Sequence, residues 1–204
     1  MAMSAGGRTF DMKVMLKELA VVEAGVTMGR MPKAMPDVVE RPMFQIGHLL
    51  SSGGLDVDRV TSIGVPRASG DRLLLRGDVL LCARGSRITA AVYQGAPAGA
   101  IAGSQLLVIR LQHGDIMPEY LAWYLNQRPA QRYFASRMSG SRVAILHKQT
   151  VEELPVAVLP LEKQKACIEL EALARREQEL SGLWREKRRL LVQLVAEKSL
   201  NAER

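Results

Sequence analysis

Aromatic side chains are scarce in this 204-residue chain, 4% of the total, so its core must be built from Leu, Val, Ile, Ala and Met. Cysteine is nearly absent. Cys82 and Cys167 stand alone without metal-ligand spacing, which excludes a disulfide framework. His48, His113 and His147 are scattered and form no HExxH-type pair. Asp56 and Asp58 read as the acids of a turn rather than as metal ligands. Gly95, Gly99 and Gly103 do not have the spacing of a GxGxxG or Walker loop and are expected in a flexible hairpin or loop. The most apolar run, residues 95–109, is too short and too glycine-rich to cross a bilayer. The opening MAMSAGGRTF has no signal-peptide pattern and reads as a flexible lead-in, so a cytoplasmic protein without a membrane partner is expected.

Acidic residues are missing from two long windows. Formal charge is +7, of which residues 1–160 carry +5 (18 basic, 13 acidic) and residues 161–204 carry +2 (10 basic, 8 acidic). Between Glu119 and Glu152 lie Arg128, Arg132, Arg137, Arg142 and Lys148 without one carboxylate. Residues 79–114 hold Arg84, Arg87 and Arg110 under the same condition. Such surfaces attract polyanions, and these two windows are the candidate anion-facing ones.

Residues 12–26 fit a short helix or the start of a strand, stopped at Gly25, and residues 26–70 read as loops between short strands. Residues 73–82 (LLLRGDVLLC) read as strand, turn at Arg76-Gly77-Asp78, and buried strand. Residues 88–93 and 105–111 are further strand candidates. In residues 118–135 the period changes: Leu121, Tyr124 and Leu125 share a helical face, Pro118 suits a first turn, and Pro129 divides two helices. Trp123 and Tyr124 are expected in helix packing. Residues 145–158 mix short helix and strand.

After Pro160 there is no proline and one glycine, Gly182. Leu, Glu, Lys, Arg, Ala and Gln dominate, which predicts one helix of about 40 residues and about 60 Å. Leu170, Leu173, Leu180, Trp184, Leu191 and Leu194 fall on heptad positions a and d, interrupted by Glu177 and Lys187. The fold class is therefore α+β: a mixed, strand-rich domain followed by a long coiled-coil-type helix.

The order of short segments resembles one half of the DNA-specificity subunit of type I restriction–modification systems. The segments are residues 16–25 (LKELAVVEAG), 77–85 (GDVLLCARG), 118–125 (PEYLAWYL), 139–145 (SGSRVAI) and 154–164 (LPVAVLPLEKQ). Where that family shows Glu-Gln, this chain has Lys163-Gln164. The resemblance implies a flexible lead-in (1–15), a DNA target-recognition domain (16–160) and a conserved helix (161–204) for dimerisation and subunit docking. It also implies double-stranded DNA, an adenine methyltransferase subunit, a restriction/translocase subunit and a second copy of the chain as partners. S-adenosylmethionine belongs to the methyltransferase, and no cofactor is expected on this chain.

Two loops carry the expected base contacts. Arg84-Gly85-Ser86-Arg87 and Ser139-Gly140-Ser141-Arg142 place arginines, which fork onto guanine, beside hydroxyls and glycine amides that accommodate phosphate. Arg128, Arg132 and Lys148 read equally as general phosphate contacts or as simple solvated charges. Neither a methyltransferase's glycine-rich loop and Asn/Asp-Pro-Pro-aromatic motif nor a nuclease-like carboxylate cluster with a lysine occurs, so a non-catalytic subunit is expected. The alternatives are a coiled-coil adaptor with non-specific basic-surface binding, or a recognition fragment of a larger DNA methyltransferase.

Overall fold

The computed structural model describes residues 13–27, 38–67, 72–85, 88–138 and 145–202. They form an α+β protein in two compact units, Met1–Lys165 and Ala166–Arg204. In chain order the first unit contains β1 (Lys13–Met15), α1 (Leu16–Leu19), β2 (Ala20–Ala24), β3 (Val38–Phe44), a 3-10 turn (Ile46–His48) and β4 (Thr61–Pro66). There follow β5 (Val79–Cys82), β6 (Ala90–Val92), β7 (Ile101–Ala102), β8 (Leu106–Leu111), α2 (Pro118–Asn126), α3 (Arg128–Ala135), α4 (Lys148–Glu152) and β9 (Pro155–Ala157). Helix α5 (Leu161–Ala202) begins in the first unit and makes up the second.

The central sheet is antiparallel in the order β2-β8-β5-β6. Every residue of β5 is buried, which is why Val79–Cys82 is apolar throughout rather than alternating. On one face Leu80 packs with Phe44, Leu74, Tyr93, Leu106 and Val108. Period-two geometry turns Val79 and Leu81 to the other face, where α2 packs on β5 and β6. A second sheet, β4-β3-β7, carries the smaller cluster of Val26, Met43, Val65 and Ile101.

The two sheets meet at glycine. Val26 bridges Gly103 in parallel, with Val26 N–H donating to the Ala102 carbonyl at 2.7 Å and Gly103 N–H to the Phe44 carbonyl at 2.8 Å. A Cβ on Gly25 would fall on the carbonyl of Gly103, so both positions are held by close backbone approach. Gly103 is thus a tight junction between sheets, against the expectation of a flexible loop. Gly25 follows β2 directly and marks the same junction, so the stretch it stops is a one-turn helix and then a strand.

Strand was also expected over residues 73–75, and this is not what forms. The Leu75 N–H is taken by the Asp78 carboxylate at 2.8 Å, while Asp78 N–H bonds back to the Leu75 carbonyl at 2.9 Å, closing a turn with Gly77 at φ +96°. Lys13–Met15, within the stretch read as lead-in, pair antiparallel with Pro155–Ala157. Pro118 and Pro129 each stand in the first turn of a helix, as their ring geometry favours.

The segments α2, β9 and the start of α5 are tied to one another by side chains. Tyr120 and Tyr124 of α2 donate to the carbonyls of Ala157 and Pro155, at 2.8 and 2.9 Å. Gln164, fully buried, accepts from Met117 N–H at 2.8 Å and donates to the Asp115 and Leu159 carbonyls at 2.8 and 2.7 Å. Trp123 lies against Tyr120, with ring centroids 5.4 Å apart, so both aromatics flagged in α2 serve packing.

Candidate nucleic-acid interface

Strand β5 ends at Cys82, and the backbone leaves it under three restraints. Ala83 N–H donates to the Gln105 carbonyl at 3.0 Å, Leu146 N–H donates to the Ala83 carbonyl at 2.8 Å, and Arg84 forms an antiparallel bridge with Ile145. The Cys82 thiol donates to the Arg84 carbonyl at 2.9 Å, and burial pushes that thiol's pKa up, so it acts as a structural donor rather than a nucleophile. Arg84 and Ile145 therefore lie side by side where the chain leaves β5. Arg84 itself is exposed. Sixty residues lie between Arg84 and Ile145, and no feature of the sequence alone pairs them.

The other end of the first loop is held by the helical pair. Gln131 of α3 donates to the Ile88 carbonyl at 3.0 Å and to the Leu125 carbonyl at 2.7 Å. Asn126, the last residue of α2, accepts from the Ala90 N–H at 2.9 Å and returns a bond to the Ala90 carbonyl at 2.8 Å. This reciprocal pair satisfies β6 where it would otherwise present an open edge. Replacing Asn126 by Ala leaves both backbone groups of the fully buried Ala90 without partners. The expected loss is about 2–4 kcal/mol of unfolding free energy, read from urea denaturation, because each orphaned buried group costs roughly 1–3 kcal/mol.

Helix α3 buries Ala130 and Phe134 and leaves Arg128 and Arg132 exposed at i, i+4 spacing, hence on one face. Just beyond it the Arg137 guanidinium lies 3.9 Å from the Tyr133 ring centroid, a cation–π contact that fixes a third arginine. Lys148, at the start of α4, is exposed but 3.5 Å from Glu152, so it faces any anion with its charge partly offset. The first loop is thus flanked by α3 at one end and by the approach to α4 at the other. Ser86, Arg87, Ser139, Gly140, Ser141 and Arg142 lie outside the described residues.

Arg110, placed by the sequence in an anion-facing window, is committed elsewhere. Its Nε and Nη2 grip the Asp78 carboxylate at 2.8 and 2.7 Å, and Nη2 also reaches the Leu73 carbonyl at 3.1 Å. An acid-free stretch of sequence does not exclude an acid from the neighbouring strand. Among the described residues, no group of three or more His, Cys, Asp or Glu side chains is arranged to hold a metal ion, and no helix is long and apolar enough to cross a membrane.

No protein-family model and no curated protein matches the chain. Solved structures do. The HsdS subunit from Thermoanaerobacter tengcongensis aligns over 85% of this chain at 15% identity with a TM-score of 0.52. A chain from a study of complex assembly and conformational transition of the type I R-M system aligns over 85% at 17% identity with a TM-score of 0.55. At these identities the likeness is one of fold. The chain spans about two fifths of the length of these proteins, 39% and 40%.

Proposed function

We propose that this chain is a non-catalytic DNA-recognition unit of a type I restriction–modification complex, with residues 16–160 reading a half-site. The observation that carries this reading is the bridge between Arg84 and Ile145, the latter three residues after Arg142 in sequence. A base-reading surface needs several donors converging on a few base pairs, with backbone-binding cations around them. Arg84 supplies the first kind here, and Arg128 and Arg132 on the face of α3 the second. The fold shared with structures from type I systems supports the same reading. The helix 161–204 pairs with a second copy and docks an adenine methyltransferase subunit, which binds the S-adenosylmethionine; a translocase subunit joins for restriction.

Binding of the full-length protein to a randomised duplex pool, followed by salt titration on the selected site, tests this. Arg84→Ala and Arg142→Ala are each expected to relax preference at particular base pairs, by roughly tenfold to a hundredfold, the discrimination of one bidentate contact. Arg128→Ala is expected to weaken all duplexes alike and to reduce the salt slope by about one. Equal affinity of the wild type for every duplex would overturn the reading in favour of a basic adaptor.

A further inference from the structure

Strand β3 carries an arginine where its pattern calls for an apolar residue. Val39, Arg41 and Met43 share one face of the strand, and the register sets Val65, Ile63 and Thr61 opposite them on β4. Met43 and Val65 are buried there with Val26 and Ile101, and Ile63 and Leu73 pack against them. Arg41 is half-buried in this face, and its Nε is enclosed without a hydrogen-bond partner among the described residues. A buried donor without an acceptor is costly, the more so on a charged group.

On its other side the guanidinium meets a loop. Met43 pairs with Ile101 in parallel, and the same register two residues earlier brings Arg41 to Gly99. A Cβ on Gly99 would lie 3.2 Å from Arg41 Nη1, so the guanidinium rests on bare backbone. Four residues earlier, Gly95 lies against the stem of the exposed Arg76, whose Cβ stands 3.7 Å from where a Cβ on Gly95 would be. Both glycines have positive φ, +96° at Gly95 and +71° at Gly99. Between them the buried Tyr93 donates from its hydroxyl to the Pro97 carbonyl at 2.6 Å and staples the loop down. Residues 94–100 (QGAPAGA) hold no charge of their own. Among the described residues neither Arg41 nor Arg76 has an ion pair. Alternation turns the neighbouring Glu40 to the other face of β3, and the Asp78 carboxylate is already taken by Arg110.

We propose that Arg41, Arg76 and the loop 95–99 form a binding site for a phosphate group, with the Arg41 guanidinium as its principal donor. The planar fork of arginine matches the oxygens of a phosphate, and glycine lets backbone approach it closely. This site is not the base-reading surface. Tyr93 N–H donates to the Asp78 carbonyl at 2.8 Å and closes the β5–β6 hairpin at one end, whereas Arg84 leaves it at the other. The proposal therefore goes beyond the DNA reading and does not rest on it. Two sources carry the required chemistry, a free phosphate-bearing small molecule and the backbone of a duplex.

Thermal unfolding of the full-length protein, titrated with inorganic phosphate against chloride at constant ionic strength, tests this. Phosphate is expected to raise the midpoint of the wild type saturably, as a ligand of the folded state does. Arg41→Met keeps the length of the side chain and removes the orphaned donor. It is expected to unfold no earlier than the wild type in chloride, yet to lose about tenfold or more in phosphate affinity. The wild type then becomes the more stable of the two only when phosphate is present. An arginine with a purely structural role would give a variant that is weaker in both salts. Arg76→Ala is expected to lose about threefold in phosphate affinity, the effect of an exposed charge. A duplex that displaces phosphate, with a salt slope lowered by about one in Arg41→Met, identifies DNA backbone as the source. Phosphate binding that is indifferent to duplex identifies a small molecule instead. The site is overturned by a wild type that phosphate stabilises no more than chloride, or by an affinity unchanged in either variant. Base selectivity of the wild type, measured separately, bears on the DNA reading alone.

Discussion

Arg110→Ala is expected to lower the unfolding free energy by about 3–5 kcal/mol, the cost of leaving a buried charge without its partner. The Asp78 side chain is 2% exposed, and its carboxylate is held by both nitrogens of the Arg110 fork and by the Leu75 N–H. With the guanidinium gone, the Leu75 N–H is the donor that remains among the described residues for a negative charge inside the domain. The reverse truncation should cost less. The Arg110 side chain is 40% exposed, so on Asp78→Ala its guanidinium turns toward water, and the loss reduces to the fork and the Leu75 bond. We expect about 1–3 kcal/mol for Asp78→Ala. Arg110→Lys should fall between them, since a lysine ammonium cannot reproduce the two-nitrogen grip. Urea unfolding of the three variants checks the order. Equal losses for Arg110→Ala and Asp78→Ala would mean that the carboxylate is better hydrated than its burial indicates.

The same pair shows where the sequence was informative and where it was not. Asp78 was legible as the acid of a Gly-Asp turn, and Val79–Cys82 as a buried strand, because both signals are local: a positive-φ glycine and an unbroken apolar run. The division of α2 from α3 at Pro129 was legible for the same reason. Arg110 and Arg84 looked alike, each an arginine in an acid-free window. Only the β5–β8 register, which sets Val79 opposite Ile109, brings Asp78 to Arg110. Residues 84 and 145 meet at a bridge that no local signal in the sequence announces. Asn126 and Gln131 carried no signal at all. An amide at a helix end is ordinary, and its partners here, Ala90 and Ile88, lie 36 and 43 residues upstream. The long helix was the most legible element, since its composition and its heptads need no distant partner to be read.

Gln164 joins both kinds of information, and its substitution is the other large effect we expect. It follows Lys163 in the sequence, and the structure shows what the glutamine does locally. Lys163 is exposed, whereas Gln164 is fully buried and uses one acceptor and two donors on three backbone groups. Those groups belong to Asp115 and Met117, just before α2, and to Leu159, just before α5, so one amide fixes the starts of both helices. Gln164→Glu keeps the shape and turns the amide nitrogen into an oxygen facing the Asp115 and Leu159 carbonyls. Two attractive contacts become repulsive ones, and a charge is buried. The expected loss is about 3–5 kcal/mol at neutral pH. Gln164→Ala, which removes all three bonds but introduces no charge, should cost less, about 2–4 kcal/mol. The glutamate variant should also carry a pH signature. Burial beside two carbonyls raises the folded-state pKa of the new carboxyl above its unfolded value, so the unfolded state loses its proton first as pH rises. The deficit therefore grows above the unfolded pKa and eases as the carboxyl is protonated on acidification. The alanine variant, measured against the wild type, should show no such dependence. Thermal unfolding of the two variants between acidic and neutral pH distinguishes a hydrogen-bonded anchor, which requires this split, from a residue that merely fills space, for which glutamate and alanine would both be mild and insensitive to pH.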